Sequence, residues 1–302
     1  MEKAFTIDRP LDVWRVNAFT NTRFAGNPAG VVPAADGLSD AMMLAIAGEL
    51  NDISETVFVS KPCVADADIR LRFFTTTTEV DLCGHATISA LFVLAWCGRI
   101  SALNDTKTIR AQTKAGVLEL DLQFTGGIPR TASMQQPMAK LALAPGADRV
   151  PGILGLPRSA LSERLRIGCA HTGLWACFVP LKAVSMLGNI RIQSDKIQTI
   201  WPDNPEFTGV YPFVQVDAIT TQGRFFPPPR FGIAEDPVTG TAAGALGAFL
   251  MAARQLPEQG KLCARQGFEM GRGGTVTVCR SPNGKMKIQG QAVAVFRDEL
   301  SP

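Results

Sequence analysis

Four side chains in this 302-residue sequence have both the type and the setting to move a proton: Glu55, His85, Asp236 and Thr241. Glu55 sits in Ile53-Ser54-Glu55-Thr56, directly ahead of the apolar run Val57-Phe58-Val59. His85, one of only two histidines, belongs to Asp81-Leu82-Cys83-Gly84-His85-Ala86-Thr87, a small-residue turn opening into another apolar run. Asp236 and Thr241 lie in Glu235-Asp236-Pro237-Val238-Thr239-Gly240-Thr241-Ala242-Ala243-Gly244, which again sets an acid, a glycine and a hydroxyl ahead of apolar residues. Carboxylates and imidazoles are the usual general acids and bases, and the small residues around the last three let a ligand approach the backbone. A carboxylate that takes a proton from carbon needs a raised pKa, and burial beside Val57 and Phe58 would lift Glu55 above the ordinary value of about 4.3. The competing reading of Glu55 is a solvated acid at a strand end. His171, in Ala170-His171-Thr172-Gly173, reads as a core or surface residue.

Gly84-His85 and Gly240-Thr241 each stand where an apolar helix begins, and unpaired N–H groups at a helix start favour an anion. Two such starts facing one cleft would hold a carboxylate. Against this stands plain capping, with Thr241 satisfying its own helix and Asp236 bracing the turn before Pro237. No phosphate loop, dinucleotide glycine fingerprint, H-E-x-x-H or G-x-S-x-G occurs, so acid–base work without a cofactor is the expected chemistry.

The elements that must position these residues are legible in outline. Val13 to Phe19 reads as a strand, and Gly26 to Val32 as a loop running into another. Leu38-Ser39-Asp40 opens a helix, with Ser39 as N-cap and Met43, Ile46, Ala47 and Leu50 on one buried face. Ile53 to Ser60 is β-branched and aromatic enough for a strand with Glu55 at its leading edge. Asp68 to Phe74 alternates as a strand, Thr75 to Thr78 suits a loop or an edge, and Thr87 to Trp96 is apolar nearly all round, as a helix enclosed by protein must be. Thr108 to Lys114 with Val117 to Phe124, and Gly274 to Arg280 with Lys285 to Phe296 about Pro282-Asn283-Gly284, read as hairpins. Gly126-Gly127-Ile128-Pro129 is the candidate boundary between halves.

The second half repeats the order of the first. Phe58-Val59, Arg72-Phe73-Phe74 and Gly84 recur as Phe213-Val214, Arg224-Phe225-Phe226 and Gly240, each time followed by a Gly-led apolar helix. Same-order recurrence points to internal duplication.

Composition bounds the partners. With 46% hydrophobic and 19% charged residues the chain is globular, and 302 residues suit two domains. The 30 Lys and Arg against 27 Asp and Glu are spread along the sequence, so no basic stripe argues for nucleic acid or anionic lipid. The polar Met1 to Pro10 is unlike a signal peptide, and no apolar stretch reaches the ~18 residues of a membrane span, so a soluble cytoplasmic protein is expected. Seven scattered cysteines without a C-x-x-C pair, and two histidines, argue against a disulfide framework or structural zinc.

Gly26-Asn27-Pro28, Ile53-Ser54-Glu55-Thr56, Glu79-Val80-Asp81-Leu82-Cys83-Gly84-His85-Ala86-Thr87, Glu235-Asp236-Pro237-Val238-Thr239-Gly240 and Gln266-Gly267-Phe268-Glu269-Met270-Gly271-Arg272 together resemble the phenazine-biosynthesis PhzF-like isomerases, in order from Val13 to Phe296. The resemblance implies an α+β fold of two similar diaminopimelate epimerase-like domains, each a β-barrel-like sheet wrapped around a central helix, with the active site in the interdomain cleft. The domains would be 1–126 and 127–302, a C-terminal strand near 287–297 returning to the first. Members act without a cofactor and are commonly homodimers. The family's acid–base carboxylate falls on Glu55, and its substrate-contacting His and Asp fall on His85 and Asp236, beside the paired Gly84 and Gly240. Its hydroxyl after the second glycine, often Ser, is here Thr241. Proline racemases and diaminopimelate epimerases, similar in fold, use two cysteines, one before each paired glycine. Here the first is Cys83 but the second is Thr239, and a hydroxyl cannot replace a thiolate base.

The expectation is thus a cofactor-independent isomerase. Glu55 removes a proton from a carbon of a small carboxylate-bearing metabolite and returns it elsewhere. His85, Asp236, Thr241 and the N–H groups near Gly84 and Gly240 bind the substrate. Two rivals stand beside it: a non-catalytic binding protein retaining the cleft, and an epimerase dependent on Cys83.

Overall fold

In the computed structural model, which describes residues 9–301, strands and helices group into two units. One takes residues 9–24, 28–134 and 290–301, the other residues 25–27 and 135–289. Residues 1–8, most of the polar stretch weighed above as unlike a leader, lie outside the described residues. Among those described, no helix is long and apolar enough to cross a membrane.

The first unit runs β1 (Leu11–Ala18), β2 (Asn27–Val32), α1 (Asp40–Glu49), β3 (Thr56–Ser60), β4 (Ile69–Phe74), β5 (Glu79–Val80), α2 (Gly84–Trp96), β6 (Thr106–Thr113), β7 (Gly116–Thr125) and β8 (Ile128–Gln135). The chain's last strand, β17 (Ala292–Leu300), joins it by pairing antiparallel with β1. From β17 the sheet passes through β1, β2, β3, β4, β6 and β7 to β8. The β2–β3 and β4–β6 pairs are parallel, whereas β3–β4, β6–β7 and β7–β8 are antiparallel. Gly126 and Gly127, both at positive φ, turn the β7–β8 hairpin, and the first unit continues to Met134.

At the centre lies α2. Residues His85 to Leu94 are all buried, and Ile88, Leu91, Phe92, Val93 and Leu94 are each at most 2% exposed. At roughly 2 kcal/mol per fully buried apolar side chain, these five contribute on the order of 10 kcal/mol, which makes the helix the unit's hub. It begins at Gly84, three residues before the apolar run expected from the sequence, so His85 lies inside its first turn. The other helix, α1, starts as its sequence demands: Ser39 Oγ accepts the Met42 N–H at 3.2 Å, and Met43, Ile46 and Ala47 face the core. Leu50 falls just beyond it as C-cap.

The second unit comprises β9 (Lys140–Leu143), the short α3 (Val150–Ile153), β10 (Gly168–His171), β11 (Trp175–Pro180), the short α4 (Ser185–Gly188), β12 (Phe207–Gln215), β13 (Thr220–Gly223), α5 (Gly240–Ala252), β14 (Leu262–Gln266), β15 (Gly274–Arg280) and β16 (Met286–Gly290). Its sheet runs from β9 to β16 in sequence order, with β11–β12 and β13–β14 parallel and its other pairs antiparallel. That is the strand order of the first unit again, with its two parallel pairs in the same places. Like α2, α5 is apolar and almost wholly buried.

The repeat extends to side chains. Arg72 on β4 grips Glu79 on β5 through Nε and Nη2 at 2.7 and 2.9 Å and lies 5.0 Å from the Phe74 ring. Arg224 grips Glu235 through the same two nitrogens at 2.8 and 2.6 Å and lies 4.7 Å from the Phe226 ring. Phe73 pairs with Val80, and Phe225 bridges to Asp236. In each unit a planar guanidinium clamp therefore fixes the segment that leads into the central helix.

Candidate active site

Glu55 is held by the strand that follows it and by the backbone before it. Its carbonyl accepts the Gly30 N–H at 3.1 Å, tying it to the β2–β3 pair at the point where β3 begins. Across the same unit, Cys83 caps α2 without a side-chain capping bond, and Thr87 Oγ1 donates to the Cys83 carbonyl at 2.7 Å. This fixes the turn that carries His85. The result is a buried triad: His85 Nε2 lies 3.3 Å from Glu55 Oε2, and Cys83 Sγ lies 3.4 Å from His85 Nδ1. The Glu55 side chain keeps 23% of its surface open, whereas His85 and Cys83 are at most 8% exposed. Glu55 Oε2 meets no hydrogen-bond donor in good geometry among the described residues, so its contact with His85 is an ion pair rather than a formed hydrogen bond.

The protons are distributed accordingly. Burial pushes Glu55 up, but the closeness and charge of His85, with smaller contributions from Ser54 and Cys83, outweigh it, and the carboxyl ends below its ordinary 4.5. The raised pKa expected from burial beside Val57 and Phe58 is therefore corrected: the opposing cation is too near for desolvation to win. Burial pulls His85 down, yet Cys83 and Glu55 together hold it well above 6.5. Burial, then the Glu55 charge, push the Cys83 thiol up. Glu55 is thus drawn toward its carboxylate, His85 toward its imidazolium and Cys83 toward its thiol.

The corresponding turn of the second unit is built differently. Thr239 stands at the α5 N-cap where Cys83 caps α2, and its Oγ1 donates to Asp236 Oδ2 at 2.5 Å. Asn27 Nδ2 donates to Asp236 Oδ1 and to the Val238 carbonyl, both at 2.8 Å. Gln266 completes the frame: Nε2 donates to the Asp236 carbonyl at 2.7 Å, and Oε1 accepts the Thr239 N–H at 3.1 Å. The turn-bracing role weighed for Asp236 is therefore real. Thr241 follows inside α5, half-buried, its carbonyl accepting from Thr172 Oγ1 at 3.1 Å. With the Thr239 proton committed to Asp236, the position that carries the second thiol in racemases holds no free acid or base.

Glu55, His85 and Cys83 come together in the first unit; Asp236, Gly240 and Thr241 gather in the second. His171 is part of the β10–β11 pairing, its ring 5.3 Å from that of Trp175, and its pKa is lowered by burial. Sequence reasoning passed over Asn27, Gln266 and Tyr211. The first two lie inside quoted motifs. Tyr211 carries a different signal as the only tyrosine: it is wholly buried, its hydroxyl has no hydrogen-bond partner among the described residues, and burial with the nearby charges of Asp236 and Glu269 pushes its pKa up.

Known proteins resemble this chain over most of its length. The family described as phenazine biosynthesis-like protein matches residues 16–298. The uncharacterized isomerase YfhB of Bacillus subtilis is 34% identical over 296 residues, covering 96% of this chain and 98% of its own, and the uncharacterized isomerase YddE of Escherichia coli is 35% identical over 297 residues, covering 95% and 97%. A PhzF-family phenazine biosynthesis protein from Bacillus anthracis superposes with a TM-score of 0.85 at 29% identity, covering 97% of this chain and all of its own. A hydroxyproline epimerase from Agrobacterium vitis shares the fold, with a TM-score of 0.69 over 98% of this chain and 94% of its own at 12% identity. The expected epimerase-like α+β fold is thus present. With a family match over most of its length and relatives that are named isomerases, the chain belongs to the phenazine biosynthesis-like family and is an isomerase.

Proposed function

We propose that the isomerase moves a proton on a small carboxylate-bearing metabolite, with Glu55 as the acid–base residue. The observation that carries this reading is the placement of Glu55: its Oε2 is buried, has no hydrogen-bond donor in good geometry among the described residues and lies 3.3 Å from His85 Nε2, whose charge keeps the carboxyl ionised at some cost in basicity. Glu55 takes a proton from a substrate carbon and returns it to a different carbon. His85 holds the substrate and offsets the anionic charge that develops. Asp236, Gly240 and Thr241, with the Gly84 N–H, serve as substrate-binding groups. A single base delivers its proton on one face, so the product is a positional isomer and not a racemate. From the family resemblance we also propose that the enzyme works without a cofactor, as a cytoplasmic homodimer.

The test is proton NMR in deuterated water with a panel of small carboxylic acids whose C–H bonds are activated by an adjacent carboxylate or alkene. Enzyme-dependent exchange at one carbon with a shifted double bond supports the reading. Ligand-induced stabilisation without exchange for any member would favour a binding protein instead.

A further inference from the structure

Isomerisation by Glu55 does not account for the chemistry of the three side chains at its site. Carboxylate, imidazole and thiol are the donors of borderline-soft divalent cations, and the ligand atoms of Glu55, Cys83 and His85 lie within 4.8 Å of one another. The individual edges are informative. Cys83 Sγ lies 3.7 Å from His85 Nε2, which lies 3.3 Å from Glu55 Oε2. In a tetrahedral zinc complex with Zn–S of about 2.3 Å and Zn–N and Zn–O of about 2.0–2.1 Å, the sulfur–nitrogen and nitrogen–oxygen edges are roughly 3.6 and 3.3 Å. The nitrogen–oxygen edge is thus already at coordination length, while Cys83 Sγ, 3.4 Å from His85 Nδ1, lies beside the ring and has to turn toward Nε2 on binding.

We propose that Glu55, Cys83 and His85 form a site for one thiophilic divalent cation of the Zn2+ or Cd2+ class, and that its occupation competes with isomerisation. The competition clause rests on Glu55 being the acid–base residue; the binding clause does not. The charges balance: the cation displaces the proton of Cys83 and that of His85 to solvent, leaving thiolate, neutral imidazole and carboxylate around it. Three protein ligands leave a fourth position for water. With Glu55 and His85 both bound to metal, neither base nor cation is available to substrate.

Cobalt(II) is the probe, because thiolate ligation gives a near-ultraviolet charge-transfer band and tetrahedral geometry gives intense visible bands. Metal-stripped full-length protein titrated with Co2+ should show both at one equivalent. The charge-transfer band should be absent from Cys83→Ala and kept by Cys177→Ala, which alters a buried cysteine on another strand. Zn2+ affinity, read by competition with a chromophoric chelator, should fall at least ~100-fold in Cys83→Ala and in Glu55→Gln, as losing even an outer-shell partner costs up to that much. Thermal melting establishes that each variant is folded, and Glu55→Gln decides the matter if Cys83→Ala is not. A wild-type protein without the charge-transfer band, a band that survives Cys83→Ala, or equal Zn2+ affinity in wild type and Glu55→Gln would overturn the site. Zn2+ that binds as described yet leaves exchange activity intact would overturn the competition alone.

Discussion

Glu55 Oε2 lies 3.3 Å from His85 Nε2, and the proton they compete for belongs to the histidine. In the proposed mechanism the neighbouring cation keeps this base ionised and lowers its basicity, and the same imidazolium would offset negative charge as it builds on the substrate.

The pH profile should therefore depend on His85. In kcat/KM, which reports the free enzyme, the acidic limb of wild type should lie below pH 4.5, because the Glu55 carboxyl titrates below its ordinary value. In His85→Gln the cation is gone and only the smaller contributions of Ser54 and Cys83 oppose burial, so the limb should move up. A limb that stays in place would mean that the ion pair does not set the charge on Glu55.

Cys83 is the obvious rival catalyst, since a thiol precedes each paired glycine in the two-cysteine racemases. Its pKa is raised by burial and by the Glu55 charge, and the opposite position, Thr239, has its proton committed to Asp236. Cys83→Ser should lower exchange by less than about tenfold, well short of the loss expected of a general base. Inactivation by a thiol alkylator that Cys83→Ser abolishes, with Glu55→Gln still active, would favour the cysteine-dependent epimerase.

Asp236 accepts hydrogen bonds from Thr239 Oγ1 and Asn27 Nδ2, which help to orient it. A hydrogen bond to a charged group contributes about 1.5–3 kcal/mol. Thr239→Val should therefore raise KM on the order of tenfold while changing kcat little if, as proposed, Asp236 holds substrate and does not transfer the proton. An equal fall in kcat with KM unchanged would assign Asp236 to the chemical step.

The paired guanidinium clamps predict a stability effect in each unit. Arg72 and Glu79 are 10% and 14% exposed, and Arg224 and Glu235 are 14% and 11% exposed. Removing one partner of such a buried pair costs about 3 kcal/mol, so Arg72→Met and Arg224→Met should each lower the denaturant midpoint. The Arg72 hydrogen bonds, against burial and with help from Lys114, hold Glu79 below its ordinary 4.5. Its contribution is therefore complete above pH 4.5 and is lost as pH falls through the lower folded value. Glu79→Gln should flatten the acid side of the stability curve, and an unchanged slope would contradict the assignment.

The fold was more legible than the electrostatics. Local chemistry placed the Ser39 cap, the hairpin about Pro282-Asn283-Gly284 and the all-round apolar helices, because these depend on neighbours in sequence. The duplication was visible in Arg72-Phe73-Phe74 and Arg224-Phe225-Phe226, and the structure explains why those arginines recur. The direction of the Glu55 pKa shift was not legible, since it depends on the spacing to His85, some 30 residues on, which only folding fixes. Asn27 escaped for the same reason: its partner Asp236 lies 209 residues away.

The central claim is tested most directly by solvent deuterium incorporation in Glu55→Gln against wild type, on a carboxylate that wild type isomerises. Glutamine keeps the shape of the side chain but cannot accept the proton. Glu55→Gln should melt like wild type and lose at least ~100-fold in exchange rate at the reacting carbon. A folded Glu55→Gln protein that exchanges at the wild-type rate would contradict the account.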